Sequence, residues 1–358
     1  MISIFGLTLE PRKKTSIPLQ TAAILVGLVA AFLVSAALIA TAGANVFNAL
    51  GYMFKGAYGD WDAFVETLVQ ATPLIFTGLA IVVAFRAKVF NIGAEGQFFA
   101  GAMAATWIGL HLTGLPGPVV WVLIIIGSII AGGIWGFIPG ILKATLGASE
   151  IITTVMLNYV ILYIISYLLS GPWREPDQFY LQTAWFPDHC RFPAVVPLSR
   201  LHLGFIISLV LAAVVYLLLW KTPFGFEIRS IGINPRASRY KGIRIKKTLV
   251  LVMVISGAIA GLGGGSEIAG LHQQLRLDIS TGYGYTAIII ALLGRLHPVG
   301  VIIVAIFFGG LVNGSTSMQI NTGVPVALVH CIQGVVLIFV LTAEVLATYR
   351  IRRTEIDE

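Results

Sequence analysis

Charge is what this 358-residue sequence has least of. Asp, Glu, Lys and Arg together make up 11% of it, against roughly 25% in an ordinary soluble domain. Hydrophobic residues supply 57%, and the mean hydropathy is +0.91. A soluble fold of this length needs a charged exterior, so the composition excludes a cytosolic enzyme, a disordered chain and a nucleic-acid binder, despite the net charge of +7. Cysteine is nearly absent. Cys190 and Cys331 are too few for a disulfide framework or a metal site, although one bridge between them is left open, since both fall toward the outer face. No GxxxxGK[ST] loop is present. Gly261-Leu-Gly-Gly-Gly265 has no Lys after it and lies inside an apolar run. His111, His189, His202, His272, His297 and His330 are scattered, and no nucleophile–base arrangement stands out. These absences point away from an enzyme and from a bound metal or cofactor.

What is present is a series of apolar runs. Ten segments approach the length that crosses a bilayer as a helix: 20–42, 67–86, 91–113, 119–142, 150–170, 203–221, 248–270, 284–294, 298–316 and 324–347. The expected fold is an all-α integral membrane protein of about ten transmembrane helices. The eleven-residue segment 284–294 is either a half-helix or a full crossing. The first run follows a basic Arg12-Lys13-Lys14 cluster but is too long for a signal-peptide core, so it reads as an uncleaved anchor. With residues 1–19 cytoplasmic and the sides alternating, 18 of the 23 Lys and Arg residues fall inside. Only Lys55, Arg174, Arg191, Arg200 and Arg276 fall outside, which satisfies the positive-inside rule. Residues 20–347 then form one transmembrane domain, and 348–358 a cytoplasmic tail. Segments 2–5 and 7–10 start from opposite faces, the parity of an inverted-topology repeat.

Glycines recur every fourth residue at Gly132, Gly136 and Gly140, and again at Gly257, Gly261 and Gly265, spacing that lets helices approach closely in lipid. The intramembrane carboxylates are Glu95, Glu150, Glu267 and Glu344. The first, second and fourth are expected in the inner half and Glu267 near the outer end, leaving no charge at mid-depth and disfavouring ion-coupled transport. Glu95 has Arg86, Lys88 or Arg295 as candidate partners at the inner face. The outer loop 171–202, rich in Pro and aromatics, is expected to be ordered.

Two segments carry more than packing. In the cytoplasmic loop 222–247, Asn234 is a good N-cap, Pro235 suits the first helical position, and Gly242 supplies the stop. The spacing predicts a two-turn helix over 235–241 that presents Arg236, Arg239 and Tyr240 to a partner or to anionic lipid. The second segment is Phe90-Asn-Ile-Gly-Ala-Glu-Gly-Gln97, whose Asn91, Glu95 and Gln97 must face protein or water in an apolar setting.

The second segment strongly resembles the signature of permease subunits of bacterial ABC importers in the nucleoside and simple-sugar branch, relatives of ribose and branched-chain amino-acid permeases. Trp135-Gly-Phe-Ile-Pro-Gly140, Met156-Leu-Asn-Tyr159, Thr222-Pro-Phe-Gly-Phe226, Gly232-Ile-Asn-Pro235 and Ala291-Leu-Leu-Gly-Arg295 agree with it, over roughly residues 67–340. Ala237-Ser238 departs conservatively from the more usual pair of alanines. The resemblance implies a heterodimer with a second permease in the bacterial cytoplasmic membrane, both termini inside. It also implies separate ATPase subunits that hold ATP and Mg, an extracytoplasmic binding lipoprotein, and 235–241 as the coupling helix. Asn91, Glu95, Gln97, Asn158 and Asn313 are candidate polar residues of a nucleoside pathway, with Tyr283 and Tyr285 placed to stack on a base near the outer entrance. A simple-sugar or branched-chain amino-acid permease, and a stand-alone channel or facilitator, are the alternatives.

Overall fold

A computed structural model of the protein describes residues 2–4, 7–11, 17–176 and 179–353. The Arg12–Lys14 cluster and residues 354–358 of the tail lie outside the described residues, as does the Glu344 side chain. The chain divides into two compact units, Asp60–Val312 and a second made of Met1–Gly59 with Asn313–Glu358.

The second unit holds α1 (Ile17–Thr41), α2 (Val46–Tyr58), α13 (Val326–Thr348) and the end of α12 (Pro298–Thr322). α1 packs on α13. Leu25–Thr41 of α1 and the whole of α2 form a pair bent by 117°, with Asn45 capping α2 by accepting from the Asn48 N–H. α2 is absent from the ten expected segments. Its stretch is amphipathic rather than uniformly apolar, so a search for long apolar runs passes over it. The expectation of an all-α chain also needs amending. Ile2–Ile4, Leu7–Pro11 and Tyr349–Arg353 pair as a small antiparallel sheet in that order, where apolar and polar residues alternate outside the long runs.

The larger unit contains α3 (Trp61–Arg86), α4 (Ala94–His111), α5 (Gly117–Leu146), α6 (Glu150–Ser170), α7 (Leu203–Lys221), α8 (Pro223–Ile233), α9 (Pro235–Tyr240), α10 (Ile245–Glu267) and α11 (Tyr283–Leu293), with the first part of α12. α10 is central and packs against α3, α4 and α5. The two glycine stripes face each other. A Cβ on Gly132 would lie 2.3 Å from the Gly257 carbonyl oxygen, and one on Gly136 would lie 2.4 Å from that of Met253. Without side chains between them, the α5 and α10 backbones touch.

All ten expected segments are helices. Among the described residues, six helices are long and apolar enough to span a membrane: α3, α5, α6, α7, α12, and α10 continued to His272. α11, with 11 residues, is shorter than a span. Residues 179–202 of the loop between α6 and α7 are folded as expected, with Phe186, Cys190 and Phe192 buried in the main core. Cys190 is buried, Cys331 is exposed and both are free thiols, so the bridge left open by the sequence does not form.

Candidate functional site

The first site is built where the chain breaks between α3 and α4. At the start of α6, Glu150 pairs with Lys143 and accepts a hydrogen bond from the Phe90 N–H at 3.4 Å. Asn158 lies eight residues further along α6, about 12 Å up the helix axis. Its carbonyl accepts from the Gly96 N–H at 2.8 Å, and its amide donates to the Ile92 carbonyl at 3.0 Å. The chain from Phe90 to Gly96 therefore climbs from the level of Glu150 to that of Asn158 before α4 is under way. Asn91 and Gln97 exchange two hydrogen bonds, at 2.8 and 3.2 Å. Asn91 also donates to Ser256 on α10, whose hydroxyl donates to the Ala80 carbonyl on α3. These amides are buried and satisfied, and they tie the non-helical climb to three helices.

Glu95 sits at the top of this climb, 5% exposed. Its Oε2 accepts from the Gly284 N–H in the first turn of α11 at 2.6 Å. No ion pair with Arg86, Lys88 or Arg295 forms. Arg86 instead donates to the carbonyls of Leu296 and Arg295, past the C-terminal end of α11, where a cation is favoured. Glu95 lies level with Asn158, well above the Lys143–Glu150 pair, because the residues before it run up into the protein instead of along its surface.

α11 is a half-length helix that starts at this same level. Tyr283 is buried, its ring edge-on to Phe98 at 5.8 Å, so it does not present a free face at an outer entrance. Tyr285 is 42% exposed and its hydroxyl accepts from the Asn158 amide at 3.1 Å. Sequence reasoning passed over the neighbours of Asn158. Tyr159, Tyr163 and Tyr167 project from one exposed face of α6 at four-residue spacing, a pattern visible in the sequence. Asn313 belongs to the other unit, where its amide donates to the Gly56 carbonyl at 2.9 Å.

The 222–247 stretch, expected as a loop with one helix, holds two. Thr222 caps α8 by accepting from the Gly225 N–H, and Pro223 occupies its first position. This is the same cap-and-proline signal as Asn234–Pro235, and it went unread. A Cβ on Gly232 would lie 2.1 Å from the Arg86 carbonyl oxygen, so α8 lies directly against the end of α3. In α9, Asn234 accepts from the Ala237 N–H at 3.1 Å, and Gly242 ends the turn at φ +82°. Ser238 is buried and bonds back to the Asn234 carbonyl, while Arg236, Arg239 and Tyr240 are exposed. Phe224, Glu227, Gly242, Arg244 and Lys247 border a cleft of about 320 Å³ beside α9.

Residues 63–341 match the family described as branched-chain amino acid transport system / permease component. The glucose ABC transporter permease protein TsgB13 of Haloferax volcanii is 35% identical over 355 residues, covering 96% of this chain and 93% of that protein. The guanosine ABC transporter permease protein NupP of Bacillus subtilis is 36% identical over 327 residues, covering 90% and 92%. The nucleoside ABC transporter permease protein NupB of Lactococcus lactis is 34% identical over 325 residues, covering 88% and 89%.

Proposed function

From the premise that the chain belongs to the branched-chain amino acid transport system / permease component family, we propose that it forms half of the membrane path of an ATP-driven nucleoside importer. The observation that supports this best is the junction of α4, α6 and α11. There Asn158 and Tyr285 adjoin the exposed tyrosines of α6. Tyr159 and Tyr163 lie about 14 and 20 Å along α6 from Glu150, depths at which a hydroxyl facing hydrocarbon has no partner. A path shared with a second permease gives those hydroxyls water and gives their rings a flat cargo to lie against. Helices that begin inside the protein on both sides of Glu95 also suit an inverted repeat whose halves meet at the binding level.

The remaining parts follow the same reading. The Lys and Arg distribution puts both termini and α8–α9 on the cytoplasmic side. Asn234, Pro235 and Gly242 fix the shape of α9, and its exposed Arg236, Arg239 and Tyr240 contact a separate ATPase, which holds ATP and Mg. A binding lipoprotein delivers the cargo at the opposite face. Asn91 and Gln97 hold the climbing segment in place.

A simple-sugar cargo is the second reading, and the glucose permease among the relatives favours it. ATP-dependent uptake by the complex reconstituted with its partner subunits decides between them, with labelled guanosine, glucose and leucine compared directly. Saturable guanosine uptake is expected. A preference for glucose or leucine overturns the nucleoside assignment, and uptake without any ATPase overturns the importer.

A further inference from the structure

The end of α10 furthest from α9 carries a set of buried polar atoms that the fold leaves unused. Glu267 is 1% exposed, and neither of its carboxylate oxygens has a hydrogen-bond partner. His272 Nε2 stands 3.4 Å from Oε1, in ion-pair range only. The hydroxyl of the preceding residue, Ser266, is also buried and unpartnered. His202 caps α7. Its Nδ1 accepts from the Gly204 N–H at 3.1 Å, which puts the ring proton on Nε2, and that buried N–H has no acceptor. The groups lie together. A Cβ on Gly204 would fall 1.8 Å from Ser266 Oγ and 2.6 Å from the His202 ring, and one on Gly270 would fall 2.2 Å from that ring. Glu267 follows Ser266 directly in the chain and precedes, by three residues, the Gly270 that packs on this ring.

Each orphaned group costs roughly 1–3 kcal/mol, and native folds retain such groups for a reason. The backbone here is irregular as well. α10 widens into a π turn at Ile268–His272, and Gln273 follows at φ +59°, deviations that gather at functional sites. The described residues hold no group of three His, Cys, Asp or Glu able to bind a metal.

We propose that Glu267, Ser266 and His202 form a binding site for a vicinal diol on the cargo. A carboxylate offers two acceptor oxygens side by side, matched by two neighbouring hydroxyl donors, while the His202 N–H donates to a hydroxyl oxygen. This site rests on the importer reading and deepens it. Ribose in a nucleoside and the ring of a hexose differ in most respects but share adjacent hydroxyls. The site is covered by backbone bonds from the outer loop: Phe186 N–H to Gln273 at 2.8 Å and Phe192 N–H to Ala269 at 2.8 Å. Cargo therefore enters when that loop lifts, at the face where a binding protein docks.

The test is ATP-dependent uptake by the reconstituted complex, with one binding protein throughout, of guanosine and 2′,3′-dideoxyguanosine. Where the cargo is a hexose, the hexose and its 2,3-dideoxy analogue replace them. Sites built to hydrogen-bond a hydroxyl discriminate strongly against analogues that lack it. Glu267→Gln is expected to lower guanosine uptake about tenfold and dideoxyguanosine uptake less than about twofold, moving the ratio toward one. Ser266→Ala, which removes one hydroxyl without touching the charge, is expected to move the ratio the same way and serves if Glu267→Gln fails to insert. Equal losses for both cargoes, or an unchanged ratio, overturn the diol site and leave the importer standing. Wild-type uptake of leucine alone, which carries no diol, overturns both.

Discussion

The Glu95 carboxylate accepts the Gly284 N–H at 2.6 Å. The bond joins residues 189 positions apart in the chain, each in the first turn of a helix that begins inside the protein. A carboxylate at a helix N-terminus is favoured twice, by the unpaired N–H groups there and by the helix dipole. Glu95 therefore serves as the N-terminal anchor of α11, while Asn158 bonds the turn in which Glu95 sits.

Removing that anchor has a calculable cost. Glu95→Ala leaves a buried N–H without an acceptor and is expected to destabilise the chain by about 1–3 kcal/mol. Glu95→Gln keeps an acceptor and loses only the charge-assisted part, so its loss is expected to be smaller, about 1 kcal/mol. Thermal unfolding of the purified protein in detergent checks the order. Alanine matching wild type would remove the anchoring role.

The glycine stripes give two neighbouring substitutions with opposite expected signs. Gly132→Ala places a methyl 2.3 Å from the Gly257 carbonyl oxygen, so α5 and α10 must part. Overpacking of this kind costs about 1–3 kcal/mol. At Gly133 the nearest atom is 3.5 Å away, an ordinary contact, and alanine gains up to about 1 kcal/mol of helix propensity. The same melting measurement reads both, and a stabilised Gly132→Ala chain would mean that the stripes do not touch.

Much of this architecture was legible before any coordinates. The apolar runs locate the long helices, the glycine spacing marks the α5–α10 contact, and Asn234–Pro235 with Gly242 delimits α9 to within a residue. Depth was not legible. In Phe90–Gln97 the sequence shows polar residues in an apolar setting, and a shared position at the inner face suggests Arg86, Lys88 or Arg295 as the partner of Glu95. The actual partner is a backbone N–H on α11, and nothing local encodes that the chain climbs before it coils. The orphaned atoms around Glu267 were equally hidden. A sequence displays a glutamate, but whether its oxygens find donors depends on the elements packed over it.

The tyrosine face of α6 separates a lined path from a lipid-facing surface. Tyr163 is 73% exposed, so replacing it is expected to shift stability by no more than about 0.5 kcal/mol. Tyr163→Leu is expected to insert normally and to lower guanosine uptake several-fold, because both the hydroxyl and the flat ring are lost. Unchanged uptake would place this face against lipid or against a helix of the second permease.

Coupling is tested at α9, where scaffold and contact residues separate cleanly. Ser238 is buried and bonds the Asn234 carbonyl, and Asn234 caps the helix, so changes there act through folding. Asn234→Ala is expected to cost about 0.5–2 kcal/mol and to lower transport only as far as α9 frays. Arg236, Arg239 and Tyr240 are exposed and support nothing beneath them; Tyr240 is 93% exposed. Replacing all three with alanine is therefore expected to leave insertion and the melting temperature unchanged while abolishing cargo-stimulated ATP hydrolysis by the reconstituted complex. α9 follows directly on α8, and Gly232 of α8 rests on the end of α3 at Arg86. Arg86 in turn holds the chain after α11. A push on α9 thus has a contiguous route of backbone and hydrogen bonds to the helix that Glu95 anchors at its other end. If the triple variant hydrolyses ATP and imports guanosine like wild type, the ATPase engages some other surface, and this route carries no force.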